Sequence, residues 1–110
     1  MKKFDKVLKE VAAGVRDEMR SSIEGGFNWF SYEYDLSGCT INVECQRVQC
    51  INGTLVSDYD VWIARDNEQH NSPIVIKAIR QVLPEWCDVE REYEEEQHQF
   101  ELEARYMMAY

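Results

Sequence analysis

The stretch CTINVECQRVQCINGTLVSDYDVWIA, residues 39–64, decides the fold. Cys39, Ile41, Val43 and Cys45 alternate with polar residues at a period of two, the pattern of a strand with one buried face. Asn52 and Gly53, which both tolerate positive φ, then supply the strongest short hairpin signal. Beyond them Leu55, Tyr59, Val61 and Ile63 resume the period. Two antiparallel strands are expected, from Cys39 to Cys50 and from Thr54 to Ala64. Val48 and Cys50 fall on the opposite parity from Cys39 to Cys45, and a bulge near Gln46 and Arg47 would reconcile them.

Working outward, FNWFSYEYDL (residues 27–36) brings Phe30, Tyr32, Tyr34 and Leu36 to one face and reaches the turn Ser37-Gly38. This is a third strand. Upstream, Phe4, Val7, Leu8, Val11, Ala12, Val15, Met19 and Ile23 recur at three-to-four spacing, which predicts a helix from Lys2 to about Glu24, ended by Gly25-Gly26. Downstream, the polar loop Arg65 to Asn71 leads to Ser72-Pro73, a cap residue followed by a proline suited to the first helical position. That helix runs to Leu83. Pro84 kinks or breaks it, and a last helix covers about residues 84–108. The expected fold is α+β: an N-terminal helix, a three-stranded antiparallel meander, then two helices packed on one sheet face, all in one domain over residues 1–110. Asn28, Trp29, Thr40, Asn42, Glu44, Asp58, Asp60 and Trp62 fall to the opposite face. Either both of these tryptophans are wet, or one packs beneath the long helix.

The order helix, three strands, helix is similar to that of the double-stranded-RNA-binding domain, a fold that reads A-form RNA through basic contacts on its last helix and a strand loop. Here the helix SPIVIKAIRQ offers only Lys77 and Arg80. The resemblance implies the topology and not the RNA binding.

With 45% apolar and 12% aromatic residues in 110, the chain has the composition of a folded protein despite a net charge of -9. No apolar run approaches the roughly 20 residues of a membrane span. In MKKFDKVLKEV charged residues interrupt any signal-peptide core, so a cytoplasmic location is expected. Cys39, Cys45, Cys50 and Cys87 form no C-x-x-C pair and are read as reduced thiols. Asn52-Gly53-Thr54 would matter as a glycosylation site only in a secreted protein, and reads as a turn.

The charge is concentrated. From Glu85 to Glu103 there are nine acids against one base, Arg91. On a helical projection Trp86, Val89, Tyr93, Phe100, Ala104 and Met107 form a narrow apolar seam, with Glu90, Glu94 and Glu101 on one shoulder and Glu85, Glu92, Glu96 and Glu103 on the other. A helix of about 25 residues spans roughly 37 Å and overhangs a compact body of this size. Like charges at i, i+4, such as Glu90 with Glu94, cost a few tenths of a kcal/mol each, so local helix stability does not call for them. The segment therefore reads as a surface that attracts a basic protein and repels nucleic acid, with Glu90, Glu92, Glu94, Glu95, Glu96, Glu101 and Glu103 as the contacting residues. An overhanging seam also suggests a homodimer through Trp86, Tyr93, Phe100 and Met107.

Lys2, Lys6, Lys9, Arg16 and Arg20 form a basic stripe opposite the apolar face of the first helix, expected to point to solvent and away from the acidic shoulders. It supports an alternative reading as a small nucleic-acid-binding accessory protein. Chemistry finds little support. Glu95-x-x-His98 has di-metal helix spacing, but no second such motif faces it, so no metal or cofactor is expected. A Cys50–His70 pair has no recommending spacing, and Gly25-Gly26 follows a helix where a phosphate loop would precede one. The reading is a non-catalytic, acidic, cytoplasmic macromolecule-binding protein, of the kind found among small inhibitors, immunity and mobile-element proteins and nucleic-acid mimics.

Overall fold

The computed structural model describes the backbone of residues 2–65, 68–69 and 72–108 and the side chains of residues 3–65 and 72–107; the side chain of Lys2 and all of His70 lie outside the described residues. The elements are α1 (Lys2–Gly25), β1 (Trp29–Leu36), β2 (Cys39–Gln49), β3 (Leu55–Arg65), β4 (Glu68–Gln69), α2 (Pro73–Val82) and α3 (Trp86–Met108). The expected α+β order holds, and β1 to β3 form the antiparallel meander. A two-residue β4, within what reads as a polar loop, adds itself to β3 through Ala64 and Arg65.

Helix α1 stops where the sequence says it should. Gly26 adopts φ 76°, the amide of Phe27 donates to the carbonyl of Ser22 at 2.9 Å, and that of Gly26 donates to Ile23 at 3.2 Å. This paired closure satisfies two orphan carbonyls and needs the left-handed glycine. Buried Ser22 then donates from Oγ to the Trp29 carbonyl at 2.6 Å, tying the end of α1 to the start of β1.

The β2–β3 register runs without interruption from Thr40 opposite Ala64 to Gln49 opposite Leu55, so the expected bulge at Gln46 and Arg47 is absent. The reason lies in the partner strand. Val48 simply faces away from the helices, directly opposite Val56, and the two half-cover each other at 36% and 38% exposure. Gly53, at φ 85°, closes the hairpin, and the Thr54 amide donates to Asn52 Oδ1 at 3.0 Å.

Between α2 and α3 the chain breaks at Pro84, as expected. Ser72 holds the N-cap position in extended conformation, but its side chain makes no capping bond. The start of α3 is instead fixed by the sheet: Ser57 Oγ accepts the Trp86 amide at 2.6 Å, and Tyr59 donates from its hydroxyl to the Pro84 carbonyl at 2.5 Å. Two inward positions of β3 thus latch the turn from both sides.

All three helices pack on the same face of the sheet. The core joins Val11, Val15 and Met19 of α1 with Phe30, Ile41, Val43, Cys45 and Val61 of the strands, Ile79 of α2, and Trp86 and Val89 of α3. Trp86 is 1% exposed and meets Phe30 with ring centroids 5.9 Å apart. Burial pushes the Cys45 thiol up to about 12 and raises the neighbouring Tyr59 hydroxyl, so both stay neutral. No helix among the described residues is long and apolar enough to cross a membrane.

Candidate functional site

The acidic segment lies on α3, and the structure divides it into two parts. Arg16 pairs with Glu92 and Arg20 with Glu96, both pairs separated by 76 residues, so α1 and α3 run parallel where they meet. The same offset sets Gly25, the last residue of α1, about level with Glu101. Past that point no α1 residue flanks α3. With a radius of gyration of 17.3 Å and extents of 60 × 36 × 24 Å, the molecule is well drawn out from the roughly 13 Å of a compact chain of this length.

Beside α1, four of the carboxylates are neutralised from within. Glu92 and Glu96 take the two α1 arginines, Arg47 of β2 donates from Nε to Glu90 at 3.2 Å, and Arg91 pairs with Asp88 at 2.6 Å. The Arg20 guanidinium also lies 5.9 Å from the Tyr93 ring centre and reaches Glu24 at 3.7 Å. Its hydrogen bond holds the Glu96 carboxyl below the usual carboxylate range, and the Arg20 guanidinium rises in turn. The expectation that the basic stripe points away from the acidic shoulders is therefore corrected for Arg16 and Arg20. Both sit on the flank of α1's apolar face, and an arginine stem is long enough to lay its head across the neighbouring helix. Lys6 and Lys9 are exposed, as the stripe requires.

The remaining four are different, with Glu94 and Glu95 turned outward between the paired residues and Glu101 and Glu103 at and beyond the end of α1. Glu94, Glu95, Glu101 and Glu103 are exposed and have no ion pair among the described residues. Among them stand Phe100 (68% exposed), Leu102 and Met107 (77%), and a shallow hollow of about 490 Å³ lies against Phe100 with Glu92, Glu95, Glu96, Gln99 and Glu103. The seven carboxylates named from the sequence thus separate into three that serve the fold and four that face outward. The dimer seam separates likewise: Trp86 is sealed in the core and Tyr93 is half-buried beside Arg20, which leaves Phe100 and Met107 at the surface.

The open sheet face also matches its sequence assignment. Trp29 is 60% exposed and Trp62 half-buried there, so neither packs beneath α3, and the buried tryptophan is the third, Trp86, which belongs to α3 itself. Among the described residues no group of three or more His, Cys, Asp or Glu side chains is placed to hold a metal ion, and His98 is an exposed residue of α3. The four cysteines are free thiols. What the sequence did not reveal was the role of Arg16, Arg20 and Arg47 as internal counter-ions. The shared i+4 step of Arg16/Arg20 and Glu92/Glu96 was the available signal, but it becomes legible only once the two helices are known to be parallel neighbours.

Comparison with protein-family models, with curated proteins and with solved structures gives no significant match.

Proposed function

We propose that the protein is a non-catalytic, acidic macromolecule-binding protein of the inhibitor, immunity or nucleic-acid-mimic type, and that the outward face of α3 engages a basic protein partner. The observation that carries this is the contrast along one helix: Glu90, Glu92 and Glu96 are matched by arginines of the same chain, whereas Glu94, Glu95, Glu101 and Glu103 are not. Four unmatched carboxylates around exposed Phe100 and Met107 form an apolar strip with an anionic rim. A basic amphipathic surface answers both features. A second copy of this chain would cover the apolar strip but set carboxylate against carboxylate, which disfavours the homodimer.

The alternative, nucleic-acid binding through the basic stripe, is weakened because Arg16 and Arg20 are engaged by Glu92 and Glu96. Affinity capture from the source cells with the intact chain and with the combined Glu94→Gln, Glu95→Gln, Glu101→Gln, Glu103→Gln variant tests the reading. It stands if the intact chain retains a basic protein in a salt-sensitive way and the variant releases it. Retention of a nucleic acid, or equal capture by the variant, overturns it.

A further inference from the structure

The sheet face turned away from the helices carries five carboxylates and no lysine or arginine among the described residues: Glu33 and Asp35 from β1, Glu44 from β2, Asp58 and Asp60 from β3. None has an ion pair or hydrogen bond to a described side chain. The register sets Glu44 directly opposite Asp60, a like-charge cross-strand pair that costs the sheet stability. Two tryptophans share this face, and each stands in its own depression. Trp29 lines one of about 410 Å³ with Glu44, Asp58 and Asp60; Trp62 lines another of about 500 Å³ with Glu33 and Asp35. Two interstrand spacings and four residues separate the tryptophans in the register, a span of about 17 Å, or about five residues of extended chain.

We propose that this face docks an extended, arginine-bearing segment of a basic protein, with one guanidinium on Trp29 among Glu44, Asp58 and Asp60 and a second on Trp62 beside Glu33 and Asp35. Guanidinium is the cation whose flat, weakly hydrated face stacks on indole while its edge donates in pairs to carboxylates. Charge excludes the other occupants. Nucleic acid, an anionic lipid surface and a second copy of this acidic face would each bring negative charge to five unmatched carboxylates. The Glu44–Asp60 repulsion, unexplained by the fold, is relieved when a cation sits between them. This surface lies on the side of the sheet opposite the helices and does not depend on the reading of the outward face of α3.

The test is calorimetric titration of the full chain with a synthetic peptide carrying two arginines five residues apart, and with its lysine counterpart of equal charge. Trp29→Ala and Trp62→Ala leave the net charge unchanged, and each is expected to weaken the arginine peptide about tenfold. The lysine peptide should bind several-fold more weakly than the arginine one. The four-site α3 variant should stay within about twofold of the intact chain. Asp60→Asn supplies a readout that does not depend on a tryptophan variant folding: it should raise the thermal midpoint by removing the repulsion and at the same time weaken the peptide. Unchanged affinity in both tryptophan variants, equal binding of the two peptides, or loss of binding in the α3 variant alone would overturn the proposal. The last result would leave the α3 reading intact.

Discussion

Arg20 donates to both oxygens of the Glu96 carboxylate, one of these bonds at 3.1 Å, while its guanidinium rests 5.9 Å from the Tyr93 ring centre. The contact joins the last turns of α1 to the middle of α3, just before α3 passes the end of α1. Because the pair holds the Glu96 carboxyl down, its contribution is present above the ordinary carboxylate pKa and is lost as pH falls through the lower, folded value. Thermal unfolding followed between neutral and acid pH should therefore show a shallower acid limb in Glu96→Gln than in the intact chain. Arg20→Ala should flatten the limb similarly, and the double variant should add nothing further; additive effects would show that the pair does not act as a unit.

At the other end of the pH scale the sign reverses. Cys45 and Tyr59 are raised by burial, so the stability of their neutral forms is fully present below about pH 9 and falls as pH climbs towards the folded values. The loss should approach about 1.4 kcal/mol per pH unit for each group that the unfolded chain has ionised. Denaturant melts from pH 8 to 11 check this, and Cys45→Ala should start less stable but decline less steeply.

Ser57 and Tyr59 fix the entry of α3 through the Trp86 amide and the Pro84 carbonyl. Ser57→Ala and Tyr59→Phe should each cost about 1–2 kcal/mol, since each strands a part-buried backbone group. If the latch sets the direction of α3, Ser57→Ala should also loosen the Trp86–Phe30 contact, seen as a red shift in the emission of the buried tryptophan. Loss of stability without that shift would leave Ser57 a hydrogen-bond partner with no say in the helix's direction.

A β-carbon at Gly14 would come within 2.3 Å of the Tyr32 ring, so α1 and β1 approach through this glycine. Gly14→Ala should destabilise despite the roughly 1 kcal/mol that alanine adds to a helix. In a Tyr32→Ala background the same substitution should stabilise instead. Retention of the destabilising sign there would show that the ring is not the obstacle.

Most of the fold was legible because its signals are local and agree. The alternation through Cys39 to Cys45, the Asn52-Gly53 hairpin, Gly26 after α1 and the break at Pro84 all appear where periodicity and turn chemistry put them. The misread bulge came from treating Val48 as a core residue, when Val56 across the hairpin gives it cover on the open face. The candidate site was only half legible. A helical projection shows which residues share a shoulder of α3, but not that α1 lies alongside in parallel with two arginines in step. Pairing between residues 76 apart belongs to packing and leaves no periodic trace in either helix.

Zero-length carbodiimide coupling of the protein to its captured partner, with the joined peptides sequenced by mass spectrometry, bears most directly on the role of the outward face of α3, because the reagent joins a carboxylate only to an amine it touches. Partner lysines linked to Glu94, Glu95, Glu101 and Glu103 are the expected products. Linkage of opposite polarity, with Lys6 or Lys9 of this chain joined to carboxylates of the partner and those glutamates unreacted, would contradict it.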